Sequence, residues 1–189
     1  MIEQHPLSPF LPEGARVLFL GSFPPPRQRW CMDFFYPNWI NDHWRIEGLV
    51  FYGDRDRFVD LKHKTFRLED IKAHCRHRGI AFYDTASAVR RLKDNASDKF
   101  LEVVETTDIL SLIEPLHELK AIVTTGEKAT ATACRQLGID VLPSVGEAVP
   151  VPTAAPELCR LPSSSRAYPL SLEKKAEAYR QMFRRYGLL

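Results

Sequence analysis

Four short segments of the chain combine residue types that could hold a flat ring or a phosphate. The first reads GSFPPP. Its three prolines fix the backbone and remove three N–H donors, and it lacks the glycines and the lysine of a phosphate-binding loop. A stiff loop of this kind favours a pocket for a flat ring, and its candidate pocket residues are Gly21, Ser22, Phe23 and Pro24.

The second segment is rich in aromatic residues, since six of the fifteen positions from 30 to 44 are Trp, Phe or Tyr. Aromatic side chains dominate protein cores, and Trp44, inside a predicted helix, is expected there. Phe35 and Tyr36 lie beside a proline in a loop, so two interpretations stay open for them. They either pack in the core or stack on a nucleic-acid base, an interaction worth roughly 1–3 kcal/mol.

The third segment, PSSSR, offers hydroxyls on Ser163, Ser164 and Ser165 and a guanidinium on Arg166. It forms either a helix-capping turn or a ligand-binding loop. A serine nucleophile is excluded, because there is no G-x-S-x-G motif and no histidine follows the serines. The fourth segment, TTGEK, opens a predicted helix, where backbone N–H groups and Lys128 either hold one phosphate or form a plain turn.

The elements that must position these segments alternate between strands and helices. Strands are expected at residues 16–20, 80–83, 121–125 and 158–161, and the main helices at 41–51, 68–78, 127–137 and 171–185. This alternation predicts an α/β fold in which helices cover a parallel sheet. Because ligands bind at the carboxyl edge of such sheets, the loops that gather there are the expected site.

Two shorter helices are expected between the second and third strands. Ser97 would cap the first, which carries Phe100, Leu101 and Val104. Thr107 would cap the second, which carries apolar residues from 109 to 113.

The composition describes a single domain over residues 1–189. The chain has 26 Lys and Arg against 24 Asp and Glu, and 44% of its residues are hydrophobic, which excludes wholesale disorder. No apolar run approaches the roughly 20 residues of a membrane span, and the N-terminus has no signal-peptide pattern. The four cysteines lack metal-ligand spacing, so reduced, mostly buried thiols are expected. His74, Cys75 and His77 are interpreted as the solvated end of a helix and not as a metal site.

Five segments, in order, resemble the uracil-DNA glycosylase superfamily, specifically the branch of mismatch-specific uracil- and thymine-DNA glycosylases and the hypoxanthine-DNA glycosylase group. They read VLFLGSFPPP, FFYPNWINDHWRI, GIAFYDTASAVRRL, IVTTGEKATA and LPSSSRAYPLSLEKKAEAYRQMF, and they span about residues 16–186. The last segment is the most specific. The resemblance implies a three-layer αβα sandwich with a four-stranded parallel sheet of strand order 2-1-3-4.

The resemblance also implies an activity, which is monofunctional cleavage of the N-glycosidic bond of a damaged or mispaired base, uracil or hypoxanthine, in base excision repair. Such an enzyme flips the target nucleotide out of the stack, and water attacks an oxocarbenium-like sugar. It needs no metal and no organic cofactor. The implied partner is DNA that contains the altered base, without a membrane, and we expect a monomer that is cytoplasmic and nucleoid-associated when it acts on DNA.

One position departs from the family pattern. Relatives that read G-x-N-P or G-x-D-P place a water-orienting residue where this chain has Phe23, whose ring cannot orient a water. Asn41, in the motif Y-P-x-x-x-N-x-x-W, is the candidate catalytic residue instead, and capping a helix is its alternative or additional role. Its neighbour Asp42 is expected on an exposed helix surface. If no residue replaces the missing group, the chain is a catalytically weak or inactive DNA- or nucleobase-binding member of the same fold.

The PSSSR segment matches the family loop that approaches the DNA backbone and fills the gap left by the flipped base. Arg166 would enter the base stack or hold a phosphate. Residues 160–189 carry seven Lys and Arg and two Glu, whereas residues 94–118 carry seven Asp and Glu and one Lys. This polarity predicts a DNA-facing side, with a solvated basic helix as the alternative. A more distant alternative is an α/β protein that binds a small nucleotide through its strand-end loops.

Overall fold

The computed structural model describes residues 1–92 and 98–189, and its elements are numbered in chain order. The strands are β1 (Ile2–Gln4), β2 (Val17–Gly21), β3 (Val59–Asp60), β4 (Thr65–Phe66), β5 (Ile80–Asp84), β6 (Ala86–Arg91), β7 (Leu101–Thr106), β8 (Ala121–Thr125), β9 (Ala148–Pro150) and β10 (Glu157–Leu161). The α-helices are α1 (His43–Tyr52), α2 (Leu68–Arg78), α3 (Ile109–Ile113), α4 (Glu127–Leu137) and α5 (Leu172–Arg185).

The centre of the fold is a five-stranded sheet of order β5-β2-β8-β10-β9. Its four parallel strands are the predicted second, first, third and fourth strands, side by side in that order. The fifth strand, β9, runs antiparallel to β10 at the edge, so the expectation of a four-stranded, all-parallel sheet is wrong. Pro150 makes this segment read as a loop, and an edge strand is one of the few places in a sheet that accept a proline.

Alternate residues of β2 point to opposite faces of the sheet and belong to two separate cores. Phe19 packs on one face in a cluster that includes Trp44 of α1 and Tyr179 of α5. Leu20 packs on the other face, in a cluster that includes Ile109 of α3 and Ala133 of α4. Helices therefore cover both faces, which confirms the α/β class and the predicted core position of Trp44.

Three elements have the bounds that the sequence predicts: α2, β8 and α4. The two helices end at Gly79 and Gly138, whose φ angles of 74° and 66° lie in the left-handed region. Glycine adopts that conformation without a steric cost, which is why it closes so many helices. The last helix, α5, begins one residue later than predicted, because Ser171 caps it by accepting a hydrogen bond from the N–H of Lys174.

The segments 86–91 and 101–106 are the main error of the sequence-based assignment. The strands β6 and β7 pair antiparallel, and β1 pairs with the other edge of β6 to form a separate three-stranded sheet. The predicted helix that carries Phe100, Leu101 and Val104 is therefore wrong, because Leu101 begins β7 and packs near Phe23. Its predicted cap, Ser97, lies outside the described residues.

Several polar side chains are buried where surface positions or caps are predicted. The hydroxyl of Thr107 donates to the backbone carbonyl of Asp84 at 2.7 Å, and Asp108 caps α3 in its place. His74 is 4% exposed and Cys75 is fully buried, so that part of α2 is not the solvated helix end expected. All four cysteines are free thiols, and three of them are buried. Within the described ranges, no helix has the length and apolarity to cross a membrane.

Candidate functional site

A cleft of about 570 Å³ opens at the carboxyl edge of the parallel sheet. Its walls come from the last residues of β5 and β8, from the end of β2, from the loops that follow β2 and β10, and from the aromatic segment that precedes α1. Most of the predicted site residues line it: Gly21, Ser22, Phe23, Pro24, Phe35, Tyr36, Asn41, Ser163, Ser164 and Ser165. Lys128 and Arg166 are not among the lining residues. The topology thus gathers segments from both ends of the chain at one edge.

Asp84 is a charged cleft residue that sequence reasoning missed. It ends β5, is 7% exposed and lines the cleft. A Cβ at position 21 would lie 2.5 Å from its Oδ1, so the glycine at position 21 is what leaves room for the carboxylate. The available signal was its place in the chain, because an acidic residue at the carboxyl end of a buried strand lies where ligands bind.

His5 holds the Asp84 carboxylate from outside the central sheet. Its Nε2 donates to Oδ2 of Asp84 at 2.8 Å, and the imidazole is 3% exposed. Its ring also meets Phe23 edge-on, with 5.2 Å between centroids. Two backbone contacts position the imidazole. Strand β1 pairs with β6, and the backbone N–H of His5 donates to the carbonyl of Ser87. No local sequence pattern predicts this contact, since its partners are 79 residues apart.

Tyr36 forms one wall of the cleft in a strained backbone conformation. Its φ of 52° is unusual for a residue with a side chain. The hydroxyl shares a hydrogen bond of 2.8 Å with Oγ1 of Thr125, and the ring stacks on His43 at 3.9 Å with 5° between planes. Phe35 is 4% exposed and stacks on Phe82. Of the two interpretations left open, packing therefore describes Phe35, while half-buried Tyr36 presents aromatic surface to the cleft.

Asn41 lies where the aromatic segment meets the PSSSR loop. Its Oδ1 accepts a hydrogen bond of 2.9 Å from the N–H of His43, the first residue of α1. Asn41 also forms an isolated antiparallel bridge with Ser165, and the N–H of Asp42 donates to the carbonyl of Ser164 at 3.0 Å. One residue thus supports the start of α1 and lines the cleft, and backbone contacts orient its amide.

Arg166 is tied to Asp42 beside the cleft. Its Nη2 donates to Oδ1 of Asp42 at 2.8 Å, and the two side chains are 49% and 10% exposed, respectively. The expectation of an exposed Asp42 is wrong, because this carboxylate lies between Arg166 and Arg45, whose Nη1 is 3.6 Å away. Lys175 of α5 donates to the carbonyl of Ser165 at 2.7 Å, and burial lowers the pKa of this lysine. The side chain of Asp42, just before α1, and that of Lys175 in α5 therefore hold the PSSSR loop in place.

Lys128 is not one of the residues that line the cleft. Its ammonium donates to the backbone carbonyl of Leu101, at the start of β7. Thr125, and not Lys128, is the residue of the TTGEK segment that lines the cleft. The structure therefore does not bring the predicted phosphate contact of Lys128 to the site.

A chain of buried polar side chains lies behind the cleft. Glu47 of α1 is 3.0 Å from Nε2 of His43 and accepts a hydrogen bond of 2.8 Å from Nε2 of His74. The hydroxyl of Tyr179 is 3.3 Å from Nδ1 of His43 and hydrogen-bonds the cleft residue Ser164. Burial opposes the charge of Glu47, yet the two histidines lower its pKa, while burial lowers the pKa of His43. A carboxylate held between two imidazoles thus supports the floor of the site.

Comparison with known proteins bears on the fold. A solution NMR structure described as that of a "putative Uracil DNA glycosylase" from Methanosarcina acetivorans matches this chain with a TM-score of 0.64. The two chains are 22% identical, and the match covers 99% of each. Comparisons with protein-family models and with curated proteins find no match. This chain therefore shares the overall fold of that structure.

Proposed function

We propose that this chain is a monofunctional DNA glycosylase that hydrolyses the N-glycosidic bond of a deaminated base, uracil or hypoxanthine, flipped out of DNA. The observation that carries the proposal is a cleft with aromatic walls and two polar groups, Asp84 and Asn41, at its two sides. Asp84 ends β5, and Asn41 bridges to Ser165 after β10. Since β5 and β10 are three strand spacings apart, roughly 14 Å, a nucleoside has room between them.

The base would lie at the buried side of the cleft, between Phe23 and Tyr36. Oδ2 of Asp84 is engaged by His5, which leaves Oδ1, beside Gly21, for the base. A carboxylate only accepts hydrogen bonds. It therefore favours the ring N–H of uracil or hypoxanthine over the unprotonated ring nitrogen that cytosine or adenine carries at that place, which is a physical reason for preferring a deaminated base to the base from which it forms.

Asn41 would orient the attacking water near the mouth of the cleft. Its Oδ1 has a second lone pair beyond the one that the His43 N–H occupies, and its Nδ2 donates. The water oxygen bonds to the anomeric carbon as the C–N bond breaks, and the base leaves as an anion with the electron pair. The proton that the water loses passes through solvent to neutralise the base anion. Asn41 thereby takes over the task for which Phe23 is chemically unsuited.

The DNA backbone would lie along the rim formed by the PSSSR loop. Ser163 and Ser165 line the cleft there, and the exposed half of the Arg166 guanidinium lies beside them. Arg29 lines the same cleft from the segment after the prolines. Hydroxyls, backbone N–H groups and arginines of this kind make the phosphate contacts that set the register of a protein on DNA.

The test is base release from oligonucleotides that contain uracil, thymine mispaired with guanine, inosine or xanthine, followed by alkaline cleavage at abasic sites. We expect cleavage at uracil or inosine, with a loss of roughly a hundredfold in Asn41→Ala, the scale of the cost of misplacing a reacting group. Asn41→Asp keeps an acceptor at the same place and should retain more activity than Asn41→Ala. Full activity in Asn41→Ala would remove this residue from the mechanism, and cleavage of none of the substrates would reject the enzyme.

Phe23 favours a second candidate, a protein that binds altered DNA without cleaving it. The ring is 9% exposed and packs beside Ala86, Val89 and Leu101, so it contributes an apolar wall and no acceptor. In this case no base is released from any substrate of the panel. A lesion-containing duplex would still bind more tightly than its undamaged counterpart, with an affinity that falls as the salt concentration rises.

A further inference from the structure

Ile40 is an apolar side chain that is exposed to solvent at the cleft. It is 50% exposed, and it lines the mouth of the cleft. No other exposed large hydrophobic side chain in residues 1–92 and 98–189 lines this cleft. Its position is therefore specific to the face of the molecule that would meet DNA.

The backbone around Ile40 is held firmly, so the side chain has no easy way to fold inward. Its N–H donates to Oδ1 of Asn38 at 3.2 Å, and the N–H of Asn41 donates to the carbonyl of Asn38 at 2.8 Å. Bridges join Asn38 to Trp30 and Asn41 to Ser165 on the two sides of this turn. The turn presents Ile40 outward on a rigid base.

Arg166, which the sequence offers as a residue that enters the base stack, is engaged elsewhere. Moving its guanidinium into DNA would break the 2.8 Å contact with Asp42. That would leave a carboxylate with 10% exposure and only the longer 3.6 Å contact to Arg45. Leaving a nearly buried charge without its best partner is unfavourable, so Arg166 is better placed to hold a phosphate from the surface.

We infer that Ile40 is the wedge that enters the duplex and occupies the space vacated by the flipped nucleotide. The inference rests on the proposed function, because a wedge serves only a protein that extrudes a base. Apolar side chains such as isoleucine are the ones that proteins insert between base steps, where they replace part of the lost stacking. The adjacent Asn41 then lies close to the same nucleotide, since one turn carries both residues.

The inference predicts that shortening Ile40 impairs base release from duplex DNA but not from single-stranded DNA. For Ile40→Ala we expect base release from duplex to fall about tenfold or more, because the shortened side chain no longer offsets the cost of unstacking a base step. Release from single strands should stay within about twofold, since no stack has to be opened. Ile40→Leu, which keeps the apolar volume, should retain most of the duplex activity. Equal losses on single strands and duplex, or no loss on duplex, would overturn the inference.

A matched control separates the wedge from general DNA binding. Arg166→Ala should weaken both substrate forms together and reduce the dependence of affinity on salt, as the loss of one phosphate contact does. Insertion can also be read without catalysis, from the fluorescence of 2-aminopurine placed next to the lesion in duplex. The wild-type protein should raise this fluorescence and Ile40→Ala should not. If the wild-type protein releases no base but raises the signal, the proposed enzyme fails while the wedge stands.

Discussion

Nε2 of His5 donates to Oδ2 of Asp84 across 2.8 Å, and this contact joins the residue that follows β1 to a cleft that is otherwise built at the carboxyl edge of the central sheet. The imidazole is nearly buried, and the opposite carboxylate oxygen lies beside Gly21. One oxygen is thereby fixed by the protein, and the other is left to the cleft. The pair gives Asp84 a defined orientation without blocking its second acceptor.

Replacing either partner should change base release more than folding. Asp84→Asn turns part of the acceptor into a donor, and we expect kcat/KM on uracil or inosine DNA to fall about tenfold or more, the scale of a hydrogen bond to a charged group. His5→Gln should cause a smaller loss, because the carboxylate keeps its charge and loses only its orientation.

The chain contains a control for this pair. His63 and Asp60 form a histidine–carboxylate contact of 2.7 Å, with the His63 side chain 64% exposed, and neither residue lines the cleft. His63→Gln should leave kcat/KM unchanged. If His63→Gln and His5→Gln had the same effect, the role given to the His5–Asp84 pair would be wrong.

Gly21→Ala should damage the site through Asp84. The added Cβ would lie 2.5 Å from Oδ1, so the carboxylate must shift, and this disturbs its contact with His5. We expect a loss of base release comparable to that of Asp84→Asn, with a decrease of about 1–3 kcal/mol in the free energy of unfolding, the usual effect of overpacking.

The double variant Gly21→Ala/Asp84→Ala tests this explanation. Its free energy of unfolding, measured by urea denaturation, should be higher than that of Gly21→Ala alone, because the clash is gone. Additive losses would show that Gly21 and Asp84 do not act on each other.

The buried carboxylate between His43 and His74 predicts that stability falls at acid pH. Burial lowers the pKa of His43 below its ordinary value of 6.5, so the unfolded chain takes up a proton there before the folded chain does. The stability that neutral His43 contributes is therefore lost as the pH falls below about 6.5. Glu47 acts in the same direction at lower pH, because contacts with the two histidines lower its pKa from 4.5 and its protonation favours the unfolded chain.

Urea denaturation at pH 7 and pH 5 measures this effect. The wild-type free energy of unfolding should decrease between the two values, and His43→Gln should flatten that decrease even though it destabilises the protein at pH 7. His63→Gln, at an exposed site, is the matched variant and should keep the wild-type slope. An unchanged slope in His43→Gln would assign the pH dependence to other groups.

Sequence periodicity predicted the strands and helices that are determined by neighbouring residues. The run from 121 to 125 has the apolar character of a buried strand, and glycines close α2 and α4 at the residues predicted. The same reasoning failed at β7, where Leu101 and Val103 fit either a short helix or a strand. Only pairing with β6 decides between them, since a strand needs a partner that local sequence does not name.

In the candidate site, too, local features could be predicted and contacts between distant residues could not. Its loops could be predicted, because in a parallel sheet every strand ends at one edge, and that places Gly21, Tyr36, Asn41 and the serines together. The position of Lys128 could not be predicted, because its ammonium finds an acceptor on β7, which the sequence had assigned to a helix. Burial of Asp42 could not be predicted either, because the partner that makes it tolerable, Arg166, is 124 residues away in the chain.

By itself, the sequence determined the α/β class, the four parallel strands and the loops that form the cleft, because strand periodicity, helix caps and turn residues act over a few neighbouring positions. Only the tertiary structure decided which side chains reach the cleft and which partners they contact. It brought His5 to Asp84, removed Lys128 from the cleft, tied Arg166 to Asp42 and left Ile40 exposed at the mouth. Each of these depends on the approach of distant segments to within hydrogen-bond or van der Waals distance, which sheet register and helix packing set.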